Sequence, residues 1–249
     1  TIRIPKIMTI VDHLFVIALA TVVPWLGWRA QRAQTARIRL GEIPDRPALY
    51  RETAIGQWGL FAGLAFLWVL QDRPLQDLGF VPPAGAGFLI GVLLAAGVVG
   101  YLFYVFHKAK NMGAAEKAEQ IKELGDLVPL LPHNGRDLRF FAGLSVTAGI
   151  VEETVFRGYL FWYFAPLLPA WGLVLITGIF FGVAHSYQGA KNALRITGIG
   201  VAFGALYLVT GSIWLPILLH ILADVIQGAA LVEICQKKEP PGQLASPAR

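Results

Sequence analysis

The chain has 249 residues, of which 55% are hydrophobic and only 15% charged, and its mean hydropathy is +0.58. This composition excludes a disordered chain and a collagen-like fibre. The single cysteine, Cys235, excludes an internal disulfide and an all-cysteine metal site. The net charge of +5 does not indicate nucleic-acid binding, because the basic residues flank apolar blocks without interleaved aromatic residues.

The apolar residues form long blocks, which are better suited to a membrane than to a soluble core. Most blocks approach the ~20 residues that a helix needs to cross the hydrocarbon layer. We therefore predict an all-α fold, a polytopic transmembrane helix bundle of about seven spanning helices. The predicted spans are residues 10–28, 53–70, 84–106, 140–164, 170–187, 196–210 and 213–232.

The predicted topology divides the chain into three parts. Residues 1–139 hold three spans and an amphipathic cytoplasmic loop, residues 140–232 hold four spans, and residues 233–249 form a disordered cytoplasmic tail. Segments on one side of the membrane carry 17 Lys and Arg residues against 3 on the other. Because cytoplasmic segments hold the excess, we expect the N-terminus outside and the C-terminus in the cytoplasm.

Four local patterns give further expectations. Residues 114–124 form an amphipathic helix at the membrane surface. The aromatic run 159–164 favours an interfacial belt. Gly198, Gly200 and Gly204 are predicted to be positions of close helix packing. Residues 19–21 resemble a signal-peptidase site, but Asp12 and His13 interrupt the apolar segment before it, so we expect a retained first helix.

Six ionisable residues fall within the predicted spans of the second half. Each is costly in lipid, so each requires a partner or a function. At 100° per residue, an acid and a base four positions apart lie on one helix face and form an ion pair. The six residues are Glu152, Glu153, Arg157, His185, His220 and Asp224.

Helical geometry assigns these residues different partners. Glu153 and Arg157 form a structural i,i+4 ion pair, whereas Glu152 points away from both and must face the histidines. His220 and Asp224 share one face of the last helix, so the Asp224 carboxylate is expected to orient the His220 ring. Depths along the helices put Glu152 and Asp224 near the middle of the membrane.

Three motifs carry a family resemblance: Glu152-Glu153-x-x-x-Arg157, Phe181-x-x-x-His185 and His220-x-x-x-Asp224. In this order, they resemble the CPBP family of intramembrane proteases, which includes the type II CAAX prenyl endopeptidases and lysostaphin-resistance-like proteins. The resemblance implies that Glu152 is the catalytic glutamate and His185 its partner. It also implies that His220 and Asp224 line the same site, although many relatives have Asn where this chain has Asp224.

The resemblance implies hydrolysis of a peptide bond by water that the glutamate and histidines activate. Two versions remain open: a metal-free site, or a zinc site whose candidate ligands are Glu152, His185, His220 and Asp224. The expected partners are the lipid bilayer and a membrane-embedded or lipidated peptide substrate, in a bacterial cytoplasmic membrane. A proton-coupled transporter and a catalytically silent scaffold or immunity protein are the alternatives.

Overall fold

The computed structural model describes residues 8–236, which are helical over most of their length. Three short 3₁₀ segments, Leu75–Leu78, Gly125–Leu130 and Ser186–Gln188, lie in the connections. A π-helical segment, Thr154–Tyr159, joins the two helices on either side of it, Gly135–Glu153 and Leu160–Phe164, without a break. The helices are α1 (Ile10–Arg39), α2 (Arg46–Leu70), α3 (Gly85–Asn111), α4 (Ala114–Leu124), α5 (Gly135–Glu153), α6 (Leu160–Phe164), α7 (Ala170–Ala184), α8 (Ala190–Thr210) and α9 (Trp214–Cys235).

The predicted membrane helix bundle is confirmed. Within residues 8–236, five helices are long and apolar enough to cross a membrane: α1, α2, α3, α8 and α9. The fourth predicted span corresponds to α5, the π-helical segment and α6. It contains the candidate residues Glu152, Glu153 and Arg157. The fifth corresponds to α7, which has only 15 residues and ends at Ala184 instead of residue 187. The total of seven spans therefore stays a prediction.

Helix α9 lies at the centre of the bundle, where it packs against α3 and α5. Helix α2 packs on the other side of α5, and α7 pairs closely with α8. The α7–α8 contact depends on glycine, because a Cβ at Gly200 would lie 2.9 Å from Gly178 Cα. Gly204 also faces α7, but a Cβ at Gly198 would meet nothing within 4 Å. The packing prediction is therefore wrong for Gly198.

The amphipathic segment forms α4 with the predicted bounds. Lys117 on α4 donates a hydrogen bond to the Glu233 carbonyl oxygen near the end of α9. Helix α9 continues to Cys235, so the expected tail does not begin at residue 233. The remainder of that tail, residues 237–249, lies outside the described residues.

A buried ion pair joins the start of α1 to the loop after α2. Both guanidinium Nη atoms of Arg73 donate to the Asp12 carboxylate at 2.7 Å, and both side chains are buried. The Tyr159 hydroxyl also lies 3.1 Å from Asp12 Oδ1. Arg73 further stacks over the ring of Trp162, 4.2 Å from its centroid. The interfacial belt predicted for residues 159–164 is corrected in part, because Tyr159, Leu160, Phe161 and Tyr163 are buried inside the protein.

Candidate active site

Three structural elements bring the candidate residues together. Glu152 and Glu153 end α5, and Arg157 follows in the π-helical segment. His185 is the first residue after α7 rather than part of a spanning helix. His220 and the acid four residues later lie on α9, which packs along α5. A π-helical turn inside an α-helix is a feature that occurs often at functional sites.

Glu152 faces both imidazole rings, as the helical geometry predicts. Its Oε2 lies 3.9 Å from His185 Nε2 and 3.9 Å from His220 Nε2. Its other oxygen, Oε1, accepts a hydrogen bond of 2.7 Å from Gln57 Nε2 on α2. The gaps of 3.9 Å are too long for direct hydrogen bonds, and a water molecule between the groups can bridge them.

The side chain of Glu153 is completely buried and contacts two hydrogen-bond donors, one on Arg157 and one on His220. Its Oε1 lies 2.8 Å from Arg157 Nη1 and 2.7 Å from His220 Nδ1. The predicted i,i+4 contact between Glu153 and Arg157 is therefore present in the structure. Arg157 also donates to the Gly200 carbonyl oxygen at 3.1 Å and lies 4.6 Å from the centre of the Phe181 ring.

The His220 ring is oriented by Glu153 and not by Asp224, which corrects the expectation from helix geometry. Asp224 Oδ2 lies 3.8 Å from His220 Nε2, beyond hydrogen-bond distance. Glu153 Oε1 can only accept, so His220 Nδ1 donates to it and Nε2 points towards Glu152. The side chain of Asp224 is one-third exposed and lies at the edge of the same group.

The His185 ring is fixed by its own helix. Its Nδ1 lies 2.8 Å from the carbonyl oxygen of Phe181, which can only accept a hydrogen bond. The proton of the neutral ring is therefore on Nδ1, and the lone pair of Nε2 faces Glu152. The two motif residues Phe181 and His185 thus act together, because the first supplies the acceptor that sets the tautomer of the second.

The separations do not fit a shared tetrahedral zinc ion. Zinc lies about 2.0–2.2 Å from nitrogen and oxygen ligands, so two ligands of one tetrahedral ion are roughly 3.4 Å apart. Glu152 is 3.9 Å from each histidine, which would open both ligand angles to about 140°. Among residues 8–236, no group of three or more His, Cys, Asp or Glu side chains is arranged to hold a metal ion. This placement does not support the zinc alternative.

Gln57 is the site residue that the sequence analysis missed. It lies on α2, 95 positions before Glu152, and belongs to none of the three motifs. Its Oε1 is buried and makes no hydrogen bond with any described residue. The only signal in the sequence is an amide within an apolar span, which is weaker than the signal of an ionisable group.

Two comparisons indicate what this chain is similar to. Residues 134–226 match the model of the family described as "Type II CAAX prenyl endopeptidase Rce1-like". The chain is also 27% identical over 163 residues to "Putative membrane peptidase YdiL" of Bacillus subtilis (strain 168). Over residues 134–226, the chain resembles the CPBP family.

The similarity to YdiL is partial. The match covers 65% of this chain and 54% of the relative, so the chain spans about half the length of the curated relative it matches. No solved structure matches the chain. All six ionisable candidates lie within residues 134–226, whereas Gln57 and α1 to α4 lie outside that family segment. The protein is an integral membrane protein, in agreement with its long apolar helices.

Proposed function

We propose that this protein is an intramembrane endopeptidase that hydrolyses a peptide bond with water activated by Glu152. The observation that carries the proposal is the position of one carboxylate oxygen, 3.9 Å from the Nε2 atoms of both His185 and His220. The family match and the relative named as a membrane peptidase support the same class of activity.

The first step is the activation of water between Glu152 and His185. A water in this gap donates one proton towards Glu152 Oε2 and the other towards the lone pair of His185 Nε2. Glu152 then takes a proton as the water oxygen attacks the carbonyl carbon of the substrate. Gln57 holds the other carboxylate oxygen, so Oε2 remains directed at the water.

The second step is stabilisation of the tetrahedral intermediate by His220. Its Nε2 faces the gap because Glu153 holds Nδ1. In the protonated ring, the Nε2 proton is donated to the negative oxygen of the intermediate. Glu152 then gives the proton that it took from water to the leaving nitrogen as the carbon–nitrogen bond breaks, which restores the carboxylate.

The proposal extends to the substrate and the orientation in the membrane. A site among apolar helices suits a membrane-embedded or lipidated peptide, and Asp224 lines the edge of the space that this peptide enters. The distribution of Lys and Arg supports an external N-terminus and a cytoplasmic C-terminus in a bacterial cytoplasmic membrane.

The test is cleavage by purified protein in detergent of a panel of tagged membrane-spanning and prenylated peptides. Glu152→Gln should reduce kcat by about 10²- to 10⁴-fold, because it removes the general base. Glu119→Gln on α4 makes the same chemical change on an exposed helix and should retain activity.

Cleavage that survives Glu152→Gln would overturn the catalytic role of this residue. If no peptide is cleaved, a proton-flux assay in liposomes separates the two alternatives. Flux would indicate a proton-coupled transporter, and its absence would indicate a scaffold or immunity protein of the same fold.

A further inference from the structure

A groove with two arginines in its lining runs along the second half of α1, next to the candidate active site. Helix α1 continues eleven positions beyond Trp28 to Arg39, and one stripe of its residues faces a space of about 640 Å³. The stripe repeats every three or four residues, so it is a single helix face. The groove is lined by Trp28, Gln31, Arg32, Thr35, Ala36, Arg39, Leu40 and Tyr187.

Tyr187 connects this groove to the active site. Its ring is 6.1 Å from the His185 ring, measured between centroids. On its other side, Tyr187 lies so close to α1 that a Cβ at Gly27 would be 3.0 Å from its ring. The missing side chain of Gly27 therefore lets the segment after His185 pack against α1, and one tyrosine borders both spaces.

The charge of the groove is positive and uncompensated. Two guanidinium groups, Arg32 and Arg39, line it, and no acidic residue does. Arg32 lies over the Trp28 ring, 4.5 Å from its centroid. Neither arginine has a carboxylate partner among residues 8–236, whereas Arg37 on the same helix pairs with Glu42 at 2.7 Å.

We propose that this groove binds an acidic segment of the peptide substrate, on the side of the active site where His185 leaves α7. The inference rests on the proposed endopeptidase function and adds a specificity to it. Arg32 and Arg39 supply charge for carboxylates, and Gln31 and Thr35 supply hydrogen-bonding groups for a peptide backbone. The continuity through Tyr187 favours a segment of the substrate over a separate ligand such as a lipid headgroup.

The experiment measures binding without cleavage. The full chain with Glu152→Gln is titrated in non-ionic detergent with a fluorescein-labelled octapeptide containing four Asp and Glu residues, and with its Asn and Gln counterpart. We expect the acidic peptide to bind more tightly. Arg32→Gln combined with Arg39→Gln should raise its Kd by about five- to tenfold, with little effect on the amide peptide.

The matched control removes two positive charges from α1 outside the groove. Arg29→Gln combined with Arg37→Gln should change the Kd by less than about twofold, because neither residue lines the groove. Equal weakening by both double variants would overturn the inference, because the attraction would then come from the general charge of the helix. Equal binding of the two peptides would overturn it as well.

Two further arms keep the test decisive. Arg32→Lys combined with Arg39→Lys preserves the charge and should preserve the preference for the acidic peptide, even if the glutamine variant folds poorly. Short-chain phosphatidylglycerol that binds in an Arg32-dependent manner while the peptide does not would assign the groove to lipid and overturn the inference. Cleavage without any acidic preference would contradict only this inference, and acidic binding without cleavage would contradict only the proposed function.

Discussion

Replacement by Gln should cost much more stability at Glu153 than at the adjacent Glu152. Glu153 is fully buried between Arg157 and His220, whereas the side chain of Glu152 is 14% exposed and bonded to Gln57. Replacing each by Gln removes one negative charge and almost no volume. Glu153→Gln should therefore lower stability strongly, in addition to weakening the hold on His220. Glu152→Gln should abolish catalysis with little loss of stability.

The expected cost of Glu153→Gln follows from the charges left behind. Arg157 is buried, and its acidic partner at 2.8 Å would be lost. Removing one partner of a buried ion pair costs about 3–5 kcal/mol. The lower value applies, since Gly200 and the Phe181 ring still contact the guanidinium. At about 2–4 °C per kcal/mol, Tm should fall by about 10 °C.

The expected cost of Glu152→Gln is smaller. The new amide oxygen can still accept from Gln57, so the loss is about 1 kcal/mol or less and Tm should change by about 3 °C at most. Thermal unfolding in detergent, followed by the fluorescence of the seven tryptophans, measures both variants beside the unsubstituted protein. An unchanged Tm for Glu153→Gln would refute the buried-charge argument, and equal losses for the two variants would refute the separation of roles.

Three other predictions concern parts of the structure outside the family motifs. Gln57→Leu should reduce kcat by about tenfold with little effect on KM, because it frees the Glu152 carboxylate to turn. A change in KM alone in the cleavage assay would contradict this prediction. Asp12→Asn should lower stability by about 3 kcal/mol in the same thermal assay, because it leaves Arg73 buried without its acidic partner. A loss of less than about 1 kcal/mol, as expected for an exposed ion pair, would contradict this prediction. Gly200→Ala should separate α7 from α8 and lower Tm, whereas Gly198→Ala should raise Tm or leave it unchanged. Similar Tm changes in the two variants would contradict the close packing of α7 on Gly200.

The sequence predicted the parts of the site that depend on local spacing. Helical geometry alone indicated the contact between Glu153 and Arg157 and turned Glu152 towards the histidines. The partner of His220 could not be predicted in this way, because the i,i+4 rule favours Asp224, whereas the packing of α5 on α9 brings Glu153 to 2.7 Å. Contacts between distant elements depend on packing, which single-helix periodicity does not describe.

The same reason explains the other differences. An aromatic run such as residues 159–164 has the same composition in a core and at a membrane interface. Contacts with distant elements bury it here, such as those of Tyr159 with α1 and of Phe161 with Tyr207 on α8. Gly198 and Gly200 lie on nearly opposite faces of α8, but the sequence does not show which face packs against α7. The bond from Gln57 joins α2 to α5 and could not be recognised from a motif.

The shortness of α7 has a consequence for how water reaches a reaction inside lipid. Fifteen residues extend about 22 Å, roughly 8 Å less than the hydrocarbon layer. When one end of α7 lies at the headgroups, the other ends below the opposite surface, and the bilayer thins or becomes hydrated there. His185 directly follows one end of α7, so thinning or hydration of the bilayer at that end would bring water to the proposed site without a long channel.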